Sequence, residues 1–107
     1  MSDSQFINIK SQSVPDLQTR IDESAKKGYR PVCNIFVIGD DLNLQMGLGK
    51  PIGSDKPFLI GSGRRIEELT HWMNLSHADG YNPMGYEPVE FAGFMHILAT
   101  HKKVPRR

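Results

Sequence analysis

Cysteine is almost missing from this 107-residue chain: Cys33 is its one thiol, so no internal disulfide can form. That usage suits a reducing compartment, and a cytoplasmic location is the expectation. Long apolar runs are missing too, with nothing near the roughly 18 residues that span a bilayer. Met1–Gln5 has neither the basic start nor the apolar stretch of a secretory leader, so neither a membrane nor secretion is expected. Excess charge of one sign is also lacking. Thirteen basic residues face twelve acidic ones, a net charge of +1, which excludes a polycation that holds nucleic acid by bulk electrostatics. Aromatic residues are only 8% of the chain, with one tryptophan, yet a hydrophobic share of 38% is that of a folded domain.

What is present is an internal repeat. A shift of 52 positions, without a gap, lays Phe6 on Phe58, Leu17 on Leu69, Ser24 on Ser76, Gly28 on Gly80, Tyr29 on Tyr81, Pro31 on Pro83 and Val37 on Val89. Similar residues coincide at Ile7 and Leu59, Val14 and Ile66, Ile21 and Met73, and Leu42 and Phe94. Each half reads as strand, helix, strand, strand. In the first, 6–9 is a short strand. Ser13-Val14-Pro15-Asp16 opens a helix, with serine as N-cap, proline in the first turn and an acid near the positive end of the dipole. Val14, Leu17, Ile21 and Ala25 form one apolar stripe, Lys26 and Lys27 complement the helix end, and Gly28 supplies a left-handed stop. Residues 32–38 predict a strand that buries Cys33 as filling, Gly39-Asp40-Asp41 a turn, and 42–48 an alternating strand.

The second half predicts a strand at 58–60, a helix over 64–78 with Ile66, Leu69 and Met73 inward, and a hairpin over 84–101. The expected fold is α+β: a tandem duplication of βαββ units, 1–50 and 51–107, forming one compact domain. It sets two helices on one side of an antiparallel sheet, either one continuous sheet or two abutting smaller ones, with pseudo-two-fold symmetry. On the gapless alignment Met95, Ile97 and Ala99 lie on an outward face and His96 falls on Leu44. Such an apolar outward face predicts a homo-oligomer, with Met95, Ile97 and Trp72 at the interface.

A helix that ends in glycine plus an aromatic, then proline and a hairpin, occurs here at Gly28-Tyr29 and Gly80-Tyr81. The pattern resembles short bacterial and phage domains of unknown function marked by Gly-Trp or Gly-Tyr after the helix. The resemblance implies a shared βαββ fold and a phage accessory or host-interaction role, and brings no catalytic residues with it.

The sharpest candidate site is Gly61-Ser62-Gly63-Arg64-Arg65. A glycine-rich turn from strand to helix offers backbone N–H groups to an anion, and two arginines add forked donors for phosphate oxygens. Tyr29 and Tyr81 are candidates to stack on a base. Other motifs fall away. Gly47-Leu48-Gly49-Lys50-Pro51 has Leu44 and Pro51 where a P-loop requires glycine and a hydroxyl. His71, His77, His96 and His101 lack metal-ligand spacing, so neither metal nor cofactor is expected. His96 reads as a structural histidine, and no serine–histidine–acid frame is recognisable. Tyr86 is a further aromatic of interest. The tail from Lys102 to Arg107 holds four of the thirteen basic residues and offers a weak, nonspecific contact to nucleic acid. The resulting expectation is a non-enzymatic protein that captures an anionic, nucleotide-like ligand, sequestering a host signalling nucleotide. The alternative is a module that engages or inhibits a host protein through its apolar sheet face.

Overall fold

The computed structural model describes residues 4–50, 52–53, 55–85 and 87–104. Tyr86 and Pro105–Arg107, with both arginines of the basic tail, lie outside them. The first unit comprises β1 (Phe6–Ser11), α1 (Val14–Lys26), β2 (Tyr29–Pro31), β3 (Phe36–Ile38) and β4 (Asp41–Leu48). The second comprises β5 (Phe58–Gly63), α2 (Ile66–Ala78), β6 (Tyr81–Pro83), β7 (Val89–Phe91) and β8 (Phe94–His101). The fold is α+β, with two helices and two antiparallel four-stranded sheets. In each sheet the long last strand is central: β4 pairs with β1, β2 and β3, and β8 with β5, β6 and β7.

Local chemistry sets the helix ends. Ser13 accepts from the Asp16 N–H at 3.2 Å, Pro15 stands in the first turn, and Gly28 leaves α1 with φ +96°. Gly80 does the same after α2 at φ +97°, a backbone region that side chains with a Cβ seldom adopt. The exit residues then enter the sheet at once, so Tyr29–Pro31 is itself a strand. The expected strand over 32–38 is broken. Residues 33–35 leave the ladder, Ile35 drops into the core, and Cys33 is exposed rather than filling.

The second unit has one residue more between β6 and β7. From β1 to β2 the offset between units is 52, but β3 and β4 match β7 and β8 at 53. Met95, Ile97 and Ala99 therefore correspond to Leu42, Leu44 and Met46, and His96 to Asn43 rather than Leu44. These three residues are not an outward face. They line the side of the second sheet that α2 covers, and Ile97 is 4% exposed and Ala99 fully buried. Leu69 of α2 is buried as well, whereas Ile66, expected inward, is 56% exposed.

The two units pack unequally. One core cluster joins Leu17, Ile21 and Ala25 of α1 to Leu42, Leu44 and Met46 of β4, and also to Phe58 and Leu98 from the far side of the second sheet. Helix α1 thus lies against both sheets, whereas α2 packs on β5, β6 and β8 of its own. Of the two arrangements the sequence leaves open, one sheet or two abutting sheets, the chain adopts the second. Polarity explains it: on the far side of the second sheet, Ile60 stands opposite Leu98, where the first sheet has Asn8 opposite Gln45. Only the apolar version gains by being covered. On the polar side Asn8 donates to the Asn43 carboxamide oxygen at 3.1 Å, which satisfies a buried Asn43.

Gln18 fastens the junction. Its Nε2 donates to the Phe58 carbonyl at 2.8 Å and its Oε1 accepts from the Ile60 N–H at 2.9 Å. One side-chain amide takes the place of a neighbouring strand at the free edge of β5. Asn34, in the broken segment, adds a bond from Nδ2 to the Glu87 carbonyl at 3.0 Å.

Candidate functional site

Where the first turn of α1 approaches the far side of the second sheet, a groove of about 450 Å³ opens. Val14 and Pro15 form one wall, and Phe91, Ala92 and Phe94 of the β7–β8 hairpin form the other. The hairpin is tight. Phe91 faces Phe94 across a two-residue turn in which Ala92 has φ 53° and Gly93 φ 80°. Two positive φ angles give the turn type that follows the natural twist of paired strands. An alanine there costs about 1 kcal/mol, and Ala92 is the sole non-glycine residue with positive φ among the described residues.

Two polar residues meet at the floor. Ser62 of β5 and His96 of β8 are register partners, and Ser62 Oγ lies 2.6 Å from His96 Nδ1. His96 Nε2 lies 3.2 Å from the Phe91 carbonyl. A carbonyl can only accept, so Nε2 carries the proton and Nδ1 is left to accept from the Ser62 hydroxyl. His96 is 4% exposed. Burial pushes its pKa below the ordinary histidine value, against a smaller opposing effect of the Phe91 carbonyl bond. The ring is therefore neutral at neutral pH, flanked by Phe91 and Phe94 with each centroid at 6.3 Å. Ser62, by contrast, is exposed to the groove.

The anion cradle expected at Gly61–Arg65 is built for other purposes. A Cβ on Gly61 would stand 2.1 Å from the Trp72 ring, and one on Gly63 would stand 2.7 Å from the Leu69 nitrogen. Both glycines let α2 approach the sheet. The Arg64 N–H already donates to Glu68 at 3.1 Å, and Arg65 Nη2 reaches the other oxygen of the same carboxylate at 3.4 Å. Glu68 thus sets a carboxylate beside the turn, where it opposes a phosphate and competes for the same donors. The side chain of Arg64 lies over Phe94, 5.1 Å from the ring centroid.

The tyrosines are structural. Tyr29 is buried and bonds the Ser4 carbonyl, and Tyr81 bonds the Lys56 carbonyl at 2.6 Å and meets His101 edge to face. Tyr29 is closed off by burial, while Tyr81 is half-buried, so the two are not equivalent as stacking surfaces. Trp72 seats on Gly61 rather than reaching a partner, and Ile97 is buried under α2 while Met95 is half-buried. The apolar face that prompted a homo-oligomer is covered within the chain. Of the ligand-binding and interface residues named from sequence, only Ser62 lines the groove, with Arg64 beside it at Phe94. The gapless offset hid the Ser62–His96 pair, because it set His96 against the wrong residue of the first unit. The hairpin signal Phe91-Ala92-Gly93-Phe94, two aromatics around a two-residue turn, was open to view.

No family model matches the chain, and neither curated proteins nor solved structures give a significant match. Among the described residues no helix is long and apolar enough to cross a membrane.

Proposed function

We propose that this is a small binding protein that takes a ring-bearing organic molecule into the groove between its two units. The observation that carries this reading is a hydrogen-bonding pair, Ser62 with His96, set in a largely apolar opening of about 450 Å³ that Gln12 and Ser13 also line. That volume is typical of small-molecule sites, where apolar walls supply affinity and a few polar atoms fix orientation. Phe91 and Phe94 offer aromatic surface, and Ser62 offers both a donor and an acceptor.

A nucleotide-like ligand remains within this reading at a different place from the one expected. Arg64 stacks on Phe94, so a base held against the phenyl rings would have a cation beside it for an anionic substituent. Capture of a host signalling nucleotide, in the phage setting that the domain resemblance implies, is one form of this function. Saturation-transfer NMR with a panel of nucleosides, their monophosphates and aromatic carboxylates tests the proposal. Binding is expected in the wild type, weakened at least about tenfold by Phe94→Ala. Loss of any preference for monophosphate over nucleoside in Arg64→Ala supports the nucleotide form. Absence of binding by the whole panel, or unchanged affinity in Phe94→Ala, refutes the groove as a ligand site.

A further inference from the structure

The Ser62–His96 pair has the connectivity of an activated nucleophile. An exposed hydroxyl donates to an imidazole whose other nitrogen donates to a fixed acceptor, here the Phe91 carbonyl. The carbonyl takes the orienting place that a carboxylate holds in a serine–histidine–acid triad. Resting on the reading of the groove as a ligand site, we infer that Ser62 is an acyl acceptor that captures activated esters entering the groove, with His96 as its base.

The step balances without a further reactant. Ser62 Oγ attacks the ester carbonyl carbon, and its proton passes to His96 Nδ1. The tetrahedral adduct collapses, the bond to the alcohol oxygen breaks, and the leaving alkoxide departs with the bonding pair and takes the proton from His96. An O-acyl serine and a free alcohol result. Geometry favours this serine over other hydroxyls: it faces open space, and the base beside it is held on both sides of its ring. The charged groups around His96 are few. Arg64 lies on the far partner Phe94, Glu90 is one register position away and so points to the opposite face of the sheet, and Asp16 of α1 is tied to Ser11 and Arg20.

The probe is p-nitrophenyl acetate, read by release of p-nitrophenolate and by mass mapping of the acetylated residue. Acetylation at Ser62 is expected, with a rate that rises with pH through an inflection below the ordinary histidine value of about 6.5 and then levels off. Ser62→Ala should abolish the fast phase, and His96→Gln should slow it at least about 100-fold. The wild-type pH profile keeps the test valid if His96→Gln fails to fold. Acetylation confined to lysines, or a Ser62 rate with no inflection below pH 6.5, overturns the inference and leaves the Ser62–His96 bond as a satisfied buried pair. The NMR panel is independent of this outcome: ligand binding without acetylation sinks only the nucleophile, and acetylation without panel binding sinks only the ring-ligand reading.

Discussion

Replacing Gly61 by alanine separates two roles for the glycine-rich turn. If Gly61 served only to let a backbone approach a ligand, Gly61→Ala would be stabilising: its φ is not in the left-handed region, and the alanine chain loses less entropy on folding, an effect of about 0.4–1 kcal/mol. The structure predicts the opposite sign. The added Cβ would stand 2.1, 2.3 and 2.4 Å from three carbons of the Trp72 ring, whereas carbon atoms rest at about 3.5–4.0 Å. The ring must therefore withdraw by roughly 1.5 Å or leave. Overpacking of this kind costs about 1–3 kcal/mol, and partial loss of the half-buried indole's contacts adds a further ~1 kcal/mol, so a loss of about 2–4 kcal/mol is expected. For a chain of this length that lowers the Tm by roughly 10–20 °C. Trp72 is the sole tryptophan, so one urea titration followed by its fluorescence reads both stability and the environment of the ring. Gly61→Ala should shift the folded-state emission to the red as well as lower the midpoint. Trp72→Leu in the same background should recover part of the loss, with a coupling above about 1 kcal/mol. The first unit has Ile9 and Arg20 at the equivalent positions: Ile9 packs against the core and Arg20 is an exposed partner of Asp16, so no seat for an indole is needed there. A neutral or stabilising Gly61→Ala with unshifted emission would refute the account of this glycine.

Gln18→Ala should lower stability by about 1–3 kcal/mol in chemical denaturation, because it leaves the Phe58 carbonyl and the Ile60 N–H at the edge of β5 without their partner. An unchanged midpoint would show that the junction does not depend on this amide. Stability should also fall in mild acid through His96. Its pKa is lowered in the folded state, so the unfolded chain binds the proton more readily. The contribution is complete above about pH 6.5 and is lost as the pH falls from there toward the lower folded value. Unfolding midpoints measured from pH 7.5 to 4.5 should show this slope in the wild type and a shallower one in His96→Phe; equal slopes would remove His96 as its source.

Much of the local architecture was legible. The serine cap, the proline in the first turn and Gly28 bounded α1 to within a residue, and the aligned Gly80 ended α2, since helix ends are set by side chains and backbone angles close at hand. The period-two pattern of Leu42, Leu44 and Met46 marked the buried side of β4. Three features were not legible. A single additional residue between Met84 and Val89 inverts the facing of everything after it, because side chains alternate along a strand and a slip of one moves each to the other side. Met95, Ile97 and Ala99 were assigned outward for that reason, and the Ser62–His96 pair went unseen. The break at 33–35 was masked by a run that is apolar except at Asn34. The glycines of the 61–63 turn looked like ligand-approach residues, because sequence does not say whether the close neighbour is a phosphate or an indole.

Sequence by itself determined the two helices, the order of helix and main strands in each unit, and the alternation within β4. Whether α1 would cover the second sheet as well as the first was decided only in three dimensions, where Ile60 and Leu98 offered an apolar surface and Gln18 reached the unpaired edge of β5. The groove belongs to that second level. It exists because the first turn of α1 stops short of the β7–β8 hairpin, and its polar floor exists because antiparallel register sets Ser62 opposite His96. Those contacts join residues 34 positions apart, a separation at which local propensity has no say and packing alone chooses the partner.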